Sequence, residues 1–377
     1  GSPHTLPDDF YSSKYFIDKT IEFVASNEDS DQPFFAYIPF QAVHIPVQAP
    51  KEYSDKYAGV YDEGWSVMRE KRRQTAVALG VIPKESEIKV TPGTIDWSSM
   101  TDEQRRYDAR RMEVYAGMVD AMDFHIGRLM DYLKSIDEYE NTVFIFTSDN
   151  GAASSPLLDS DGNSVLKNWF DRVGYNTDYE SLGEKGSWVA IGPGNASIAN
   201  SPLLYYKFHA NEGGLRVPLI ISGPGINRHG EITDEFTFVT DLAPTILNLT
   251  GTTEHRGKFN GREVEPIVGV SFTDYLNGAA DQIHQPSESI GYELGGSNAL
   301  FKGDYKIVIN KIEQNETEWH LYNIKTDPGE TTDLINEKPQ LFAEMLSEYE
   351  SWAEENNVLP MPQGYNRGRA IFRNGFN

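Results

Sequence analysis

Residues 142–152 have the sequence TVFIFTSDNGA, in which an apolar run is followed at once by a carboxylate, an amide and a glycine. The run at 142–148 is typical of a buried strand with helices on both faces. Asp149 and Asn150 then lie at the C-terminal end of the strand, where open α/β sheets place their sites. Their hard oxygen atoms suit Ca²⁺ or Mg²⁺. The same three residues also suit an Asx turn with glycine at positive φ, so the motif leaves both interpretations open.

Strands and helices are predicted to alternate on both sides of this run. Two more apolar runs, 33–40 and 217–222, predict strands. Apolar residues at helical spacing predict helices over 15–26, 102–136 and 241–249. This alternation is typical of an α/β fold with a mixed, mostly parallel sheet flanked by helices.

The pattern changes near residue 287. Short hairpin strands are predicted at 289–293, 299–301, 305–310 and 319–322, and a helix at 339–355. We therefore expect two domains: a larger one over 1–280, and a C-terminal α+β subdomain of antiparallel strands plus a helix over 281–377. Residues 152–200 form a polar insertion directly after the second predicted strand, a common place for active-site loops.

The composition narrows the class of function. The 377 residues carry a net charge of −24, which opposes the approach of nucleic acids and anionic membranes. There is no cysteine, so disulfides and thiolate sites are excluded. No apolar run approaches the roughly 20 residues that span a bilayer. An anionic substrate would need a local cation to bind it.

Two further polar residues could carry chemistry. His44 follows the first predicted strand, in a loop that Pro46 and Pro50 stiffen, and could transfer a proton. Lys207 precedes the third predicted strand and could bind an anionic group. Taken singly, each has a simpler interpretation: a single histidine is by default structural, and a lysine is usually solvated. Together with the Asp149–Asn150 pair they suit the cleavage of a phosphate or sulfate ester.

Several long motifs, in order, resemble the formylglycine-dependent sulfatases of the alkaline phosphatase superfamily, and bacterial arylsulfatases most closely. They are PFFAYIPFQAVHIPVQAP at 33–50, FIFTSDNGA at 144–152, YYKFHANEGGLRVPLIISGPG at 205–225, TDLAPTILNLTG at 240–251 and LYNIKTDPGETTDL at 321–334. The resemblance runs from about residue 6 to residue 362. It implies an alkaline phosphatase-like fold and a sulfuric ester hydrolase acting on a small sulfate ester or a sulfated sugar.

The resemblance also assigns roles to the four residues. It implies that Asp149 and Asn150 ligate a metal, usually Ca²⁺ and less often Mg²⁺. His44 would contact the ester and donate a proton to the leaving oxygen, and Lys207 would bind a sulfate oxygen. It further implies a periplasmic or secreted location, with a cytoplasmic one still open.

The chain departs from the family at the nucleophile. Sulfatases make a formylglycine from the Cys or Ser of a C/S-x-P-x-R segment, and neither version occurs here. The acidic pair Asp8-Asp9 follows a proline and not a strand, so it does not match the family's other metal ligands. We expect the nucleophile on an absent N-terminal segment, and expect this chain alone to be inactive. A phosphodiesterase or phosphonate monoester hydrolase of the same superfamily, or a non-catalytic fragment, are the alternatives.

Overall fold

A computed structural model describes residues 5–27, 30, 32–155, 172–253, 257–311, 315–362 and 365. Its helices are α1 (Ser12–Ala25), α2 (Lys51–Ser54), α3 (Gly64–Ala78), α4 (Asp102–Ser135), α5 (Gly192–Ala199), α6 (Glu212–Leu215), α7 (Leu242–Leu249), α8 (Thr273–Asn277) and α9 (Pro339–Glu355). Its strands are β1 (Phe144–Thr147), β2 (Leu219–Ser222), β3 (Lys258–Phe259), β4 (Arg262–Glu263), β5 (Ser289–Leu294), β6 (Ser297–Lys302), β7 (Tyr305–Asn310) and β8 (His320–Asn323). No helix among these residues is both long and apolar enough to cross a membrane.

The chain forms two compact units. The first comprises Gly1–Glu70, Thr91–Thr142 and Ala152–Ala199, and the second comprises Lys71–Val90, Val143–Gly151 and Asn200–Asn377. The predicted domains, 1–280 and 281–377, stay a prediction.

The long helix α4 organises the first unit. It begins at a capping box, in which the Thr101 side chain accepts from the Gln104 amide and the Gln104 side chain accepts from the Thr101 amide. This reciprocal arrangement satisfies two of the amides that a helix start leaves unpaired. The buried side of α4 includes Met112, Met118 and Leu133 and packs against α1 and α2. The helix predicted over 102–136 is therefore confirmed.

The strands of the first predicted part form less sheet than expected. The strands predicted at 142–148 and 217–222 are present as β1 and β2, which pair antiparallel with Ile145 opposite Ile221. The strand predicted at 33–40 is wrong: these residues have no strand assignment, and Phe35 and Tyr37 are 76% and 80% exposed. An apolar run becomes a strand only when a neighbour completes its ladder, and the described residues supply none. Every ladder between the described strands is antiparallel.

The C-terminal sheet has the order β5-β6-β7-β8 and is antiparallel throughout. Its residues alternate between two faces, as the pleat requires. One face packs against α9 through Leu300, Ile307, Leu321, Met345 and Tyr349. The other face packs Ala299, Phe301, Val308 and Tyr322 around Ala210. The predicted C-terminal antiparallel sheet followed by a helix is confirmed, and with it the mixture of helices and sheet.

Candidate functional site

The loop after β1 carries the predicted metal ligands. Asp149 is exposed and Asn150 is half-buried. Within the described part of the chain, neither side chain makes a hydrogen bond, so their oxygens remain available to a ligand. The Asx-turn interpretation expects a positive φ at Gly151, but the φ of Gly151 is not positive. It is glycine for another reason: a Cβ there would lie 1.8 Å from the carbonyl oxygen of Gly213.

The lysine loop, residues 205–214, carries Lys207 and has a strained backbone. Tyr205 and Phe208 adopt φ of 60° and 81°, in the left-handed region that side chains with a Cβ rarely occupy. Such conformations cost on the order of 1–3 kcal/mol each and concentrate at functional sites. Between them, the half-buried Lys207 ammonium lies 5.5 Å from the centre of the Phe208 ring. No carboxylate among the described residues pairs with it.

His209 helps to fix the shape of this loop. Its ring is buried and stacks on Tyr205, with centroids 4.4 Å apart and planes 6° from parallel. Its Nδ1 lies 3.0 Å from the carbonyl oxygen of Tyr206. A carbonyl oxygen only accepts, so Nδ1 carries the hydrogen. The sequence assigned His209 no role, and its contacts are those of a side chain that supports the loop.

Three glycines join the loop of Asp149 and Asn150 to the lysine loop. The Gly151 amide donates to the Gly214 carbonyl at 3.0 Å, and the Gly213 amide donates to the Leu204 carbonyl at 2.9 Å. A Cβ on Gly213 would lie 2.2 Å from the Tyr205 oxygen, and one on Gly214 would lie 2.1 Å from the His209 oxygen. The three backbone segments can approach this closely only because no side chain intervenes. The structure thus brings the Asp149–Asn150 loop beside the loop of Lys207.

His44 belongs to the first unit, whereas the other three residues belong to the second. Its ring is exposed, and Nδ1 lies 2.7 Å from the carbonyl oxygen of Ile45. Because that oxygen accepts, Nδ1 carries a hydrogen and Nε2 is the nitrogen that can exchange a proton with a substrate. The exposed imidazole of His44 is therefore able to exchange a proton with the oxygen of an ester, as the sequence predicts.

The donor set fits a calcium ion in part. A carboxylate and an amide oxygen are ligands that Ca²⁺ accepts, but it takes six to eight oxygens. Across the described residues there is no group of three or more His, Cys, Asp and Glu side chains that could hold a metal. A calcium ion bound at Asp149 and Asn150 would therefore need further oxygen ligands.

The sequence missed the side chains that support the lysine loop. Lys306, in the apolar strand β7, is fully buried and forms ion pairs with Glu212 and Glu330 at 2.8 and 2.6 Å. Burial alone would lower the pKa of Lys306, but the two carboxylates outweigh it and raise the pKa, so the ammonium stays charged. The available signal was the position of this lysine on the same strand face as Val308 and Asn310.

Comparison with known proteins gives a consistent result. The family model described as Sulfatase matches residues 2–252. An uncharacterized sulfatase of Schizosaccharomyces pombe is 38% identical over 369 residues, which cover 96% of this chain and 65% of that protein. An arylsulfatase of Klebsiella aerogenes is 34% identical over 274 residues, covering 72% of this chain and 58% of that protein.

Among solved structures, the crystal structure of Ps i-CgsB in complex with k-i-k-neocarrahexaose has a TM-score of 0.60 and 20% identity, and the match covers 97% of this chain and 59% of that one. This likeness supports the fold. The chain spans less than two thirds of the length of each of these three relatives.

Proposed function

This chain belongs to the sulfatase family, and we propose that it acts in the hydrolysis of a sulfate monoester, an aryl sulfate or a sulfated sugar. The observation that supports the proposal is the hydrogen bond from Gly151 to Gly214, because it ties the loop of Asp149 and Asn150 to the segment that follows Lys207. A cationic side chain and a metal ion placed close together can both stabilise the negative charge on the oxygens of a sulfate ester.

Each of the four residues has a role in this proposal. The Lys207 ammonium binds an oxygen of the sulfate group and offsets the charge that develops there. In its imidazolium form, with a hydrogen on each ring nitrogen, His44 donates the Nε2 proton to the leaving oxygen when the S–O ester bond breaks. Asp149 and Asn150 would hold Ca²⁺, with Mg²⁺ as the second choice. When present, the metal and a formylglycine supplied by a further N-terminal segment provide Lewis-acid charge and the nucleophile.

The test uses full-length protein that includes the upstream segment, with 4-nitrophenyl sulfate as substrate. We expect Lys207→Ala and His44→Ala each to lower kcat/KM by about 10²-fold or more. Lys258→Ala and His229→Ala are matched controls, because both residues are exposed and lie outside the candidate site. Activity that survives both site substitutions would contradict these roles. Faster hydrolysis of the matched phosphate ester would favour the phosphodiesterase alternative.

The metal can be tested on this chain by itself. Two protein ligands should bind Ca²⁺ with a dissociation constant weaker than about 10⁻⁴ M, since tight sites use more oxygens and more charge. Calorimetric titration of the chain, beside an Asp149→Ala variant, measures this directly. Tight binding, or binding that Asp149→Ala leaves unchanged, would refute the assignment of two ligands from this loop.

A further inference from the structure

Side chains of the C-terminal sheet bind the backbone that follows Lys207. Ser297 Oγ, from β6, donates to the Phe208 carbonyl at 2.8 Å. On β7, Asn310 Oδ1 accepts from the Ala210 amide at 2.8 Å, and its Nδ2 donates to Asn211 Oδ1 at 2.8 Å. Two strands of the sheet thus fix three of the four residues directly after Lys207.

A buried charged group extends the same attachment. Lys306 Nζ donates to the Ala210 carbonyl at 3.2 Å and to Glu212 Oε1 at 2.8 Å. Glu330 pairs with Lys306 through one carboxylate oxygen and accepts from the Glu212 amide through the other, at 2.9 Å. Both Lys306 and Glu330 are fully buried. Charges removed from water persist only when paired and hydrogen-bonded, and here the loop itself supplies several of the partners.

The turn that carries Glu330 is rigid in its own right. Glu330 has φ of 52°, in the left-handed region. The Asp327 carboxylate accepts from the amides of Thr331 and Thr332 at 2.8 and 2.9 Å. A Cβ on Gly329 would lie 2.4 Å from the Glu87 carbonyl oxygen, so the turn is closely packed as well. The position of Glu330 is therefore fixed by its own turn and does not depend on its contacts with the lysine loop.

A neighbouring lysine shows what a purely structural ion pair looks like in this sheet. Lys302, on β6, pairs with Glu344 and Glu348 of α9, at 2.5 Å each. It also binds two glutamates, yet its partners lie on the helix and not on the lysine loop. Lys306 differs because its hydrogen bonds and ion pairs go to Ala210, Glu212 and Glu330, and two of these three belong to the segment 210–212.

We propose that Lys306 and Glu330 are positioning residues, which fix the Phe208–Glu212 segment so that Lys207 is held in place to bind the sulfate group. This inference rests on the function proposed above. It predicts that these two fully buried residues influence the reaction only through Lys207.

A double-mutant cycle in the full-length protein tests this. Lys306→Met should lower kcat/KM for 4-nitrophenyl sulfate by about 10- to 100-fold, as expected when a binding group is misplaced. In a Lys207→Ala background the same change should lower it less than twofold, because the group being positioned is already absent. Lys302→Met is the matched control and should change kcat/KM less than threefold. An equal loss in both backgrounds would overturn the proposal, since a general loss of structure would act in both.

Amide hydrogen exchange gives a second readout that does not depend on activity. Glu330→Gln keeps an acceptor for the Glu212 amide and is the milder change, so it serves if Lys306→Met does not fold. We expect exchange at residues 208–214 to quicken at least tenfold in either variant, with exchange in α4 unchanged. Unchanged exchange at 208–214 would overturn the positioning role. If Lys207→Ala retains full activity, the proposed function fails, while the exchange result still decides whether Lys306 and Glu330 hold the loop.

Discussion

Gly151→Ala is the substitution that most directly tests the join between the two loops. The new Cβ would lie 1.8 Å from the Gly213 oxygen, whereas ordinary contacts begin at 3.4 Å, so the atoms must separate by 3.4 − 1.8 = 1.6 Å. The Gly213 side cannot yield readily, because its amide is bonded to the Leu204 carbonyl. Asp149 and Asn150 must therefore move. The hydrogen bond from the amide of residue 151 to the Gly214 carbonyl is then lost, at a cost of about 1 kcal/mol.

A displacement of this size should affect function far more than stability. Misplacing a catalytic group by about 1 Å can lower a rate about 10²-fold. We expect kcat/KM of the full-length protein for 4-nitrophenyl sulfate to fall by that factor, measured at saturating calcium. Circular dichroism and the melting temperature should show a protein that is still folded.

Gly127→Ala provides the matched control. Gly127 lies within α4, and a Cβ there meets nothing within 4 Å. Alanine is the better helix former, so this change should leave activity unaltered and stabilise the helix by up to about 1 kcal/mol. A Gly151→Ala protein that keeps more than half of its activity would refute the reasoning, because the two loops would then not depend on their close approach.

Three further predictions concern stability. His284 Nε2 lies 2.8 Å from Asp241, and this contact raises the pKa of His284 although burial opposes it. The stabilisation from the charged imidazole is present below about pH 6.5 and is lost as the pH rises through the higher pKa of the folded state. Between about pH 6 and 8 the melting temperature should therefore fall more steeply than in His284→Gln, and equal slopes would contradict this. Thr101→Ala removes the cap of α4 and should lower the free energy of unfolding by about 1 kcal/mol in urea titrations, whereas no change would show that the cap contributes nothing. Met345→Ala should lower the free energy of unfolding by about 2–5 kcal/mol, because the Met345 side chain is fully buried. The control Glu350→Ala, at an exposed position, should lower it by less than about 0.5 kcal/mol. Similar losses for the two variants would refute the packing argument.

The elements that the sequence predicted well are those with local signals. The start of α4 follows from the Thr101–Gln104 capping box, and both bounds of β7 and α9 agree with the prediction. Capping residues, helical spacing and strand alternation act within a few residues of one another, so they can be recognised without knowing the rest of the fold.

The features that the sequence did not predict depend on contacts between distant residues. Residues 33–40 have the composition of a strand, but composition does not supply the neighbour that a ladder needs. Lys306 lies 94 residues from Glu212 along the chain, so no spacing rule connects them. The need for glycine at 151 likewise arises from Gly213, which is 62 residues away along the chain and has no signal in the local motif. In each case the deciding partner is remote.

The strain in the lysine loop and its attachment to the sheet are best understood together. Tyr205 and Phe208 each occupy a backbone region that costs on the order of 1–3 kcal/mol, and such conformations persist only where the surrounding structure imposes them. The hydrogen bonds from Ser297, Lys306 and Asn310 are of the kind that can impose them, since each contributes on the order of 1 kcal/mol or more. A loop optimised for stability alone would place glycine or asparagine at the left-handed positions. Tyr205 and Phe208 occupy left-handed positions before and after Lys207, which indicates that the sequence of this segment serves its position more than its stability.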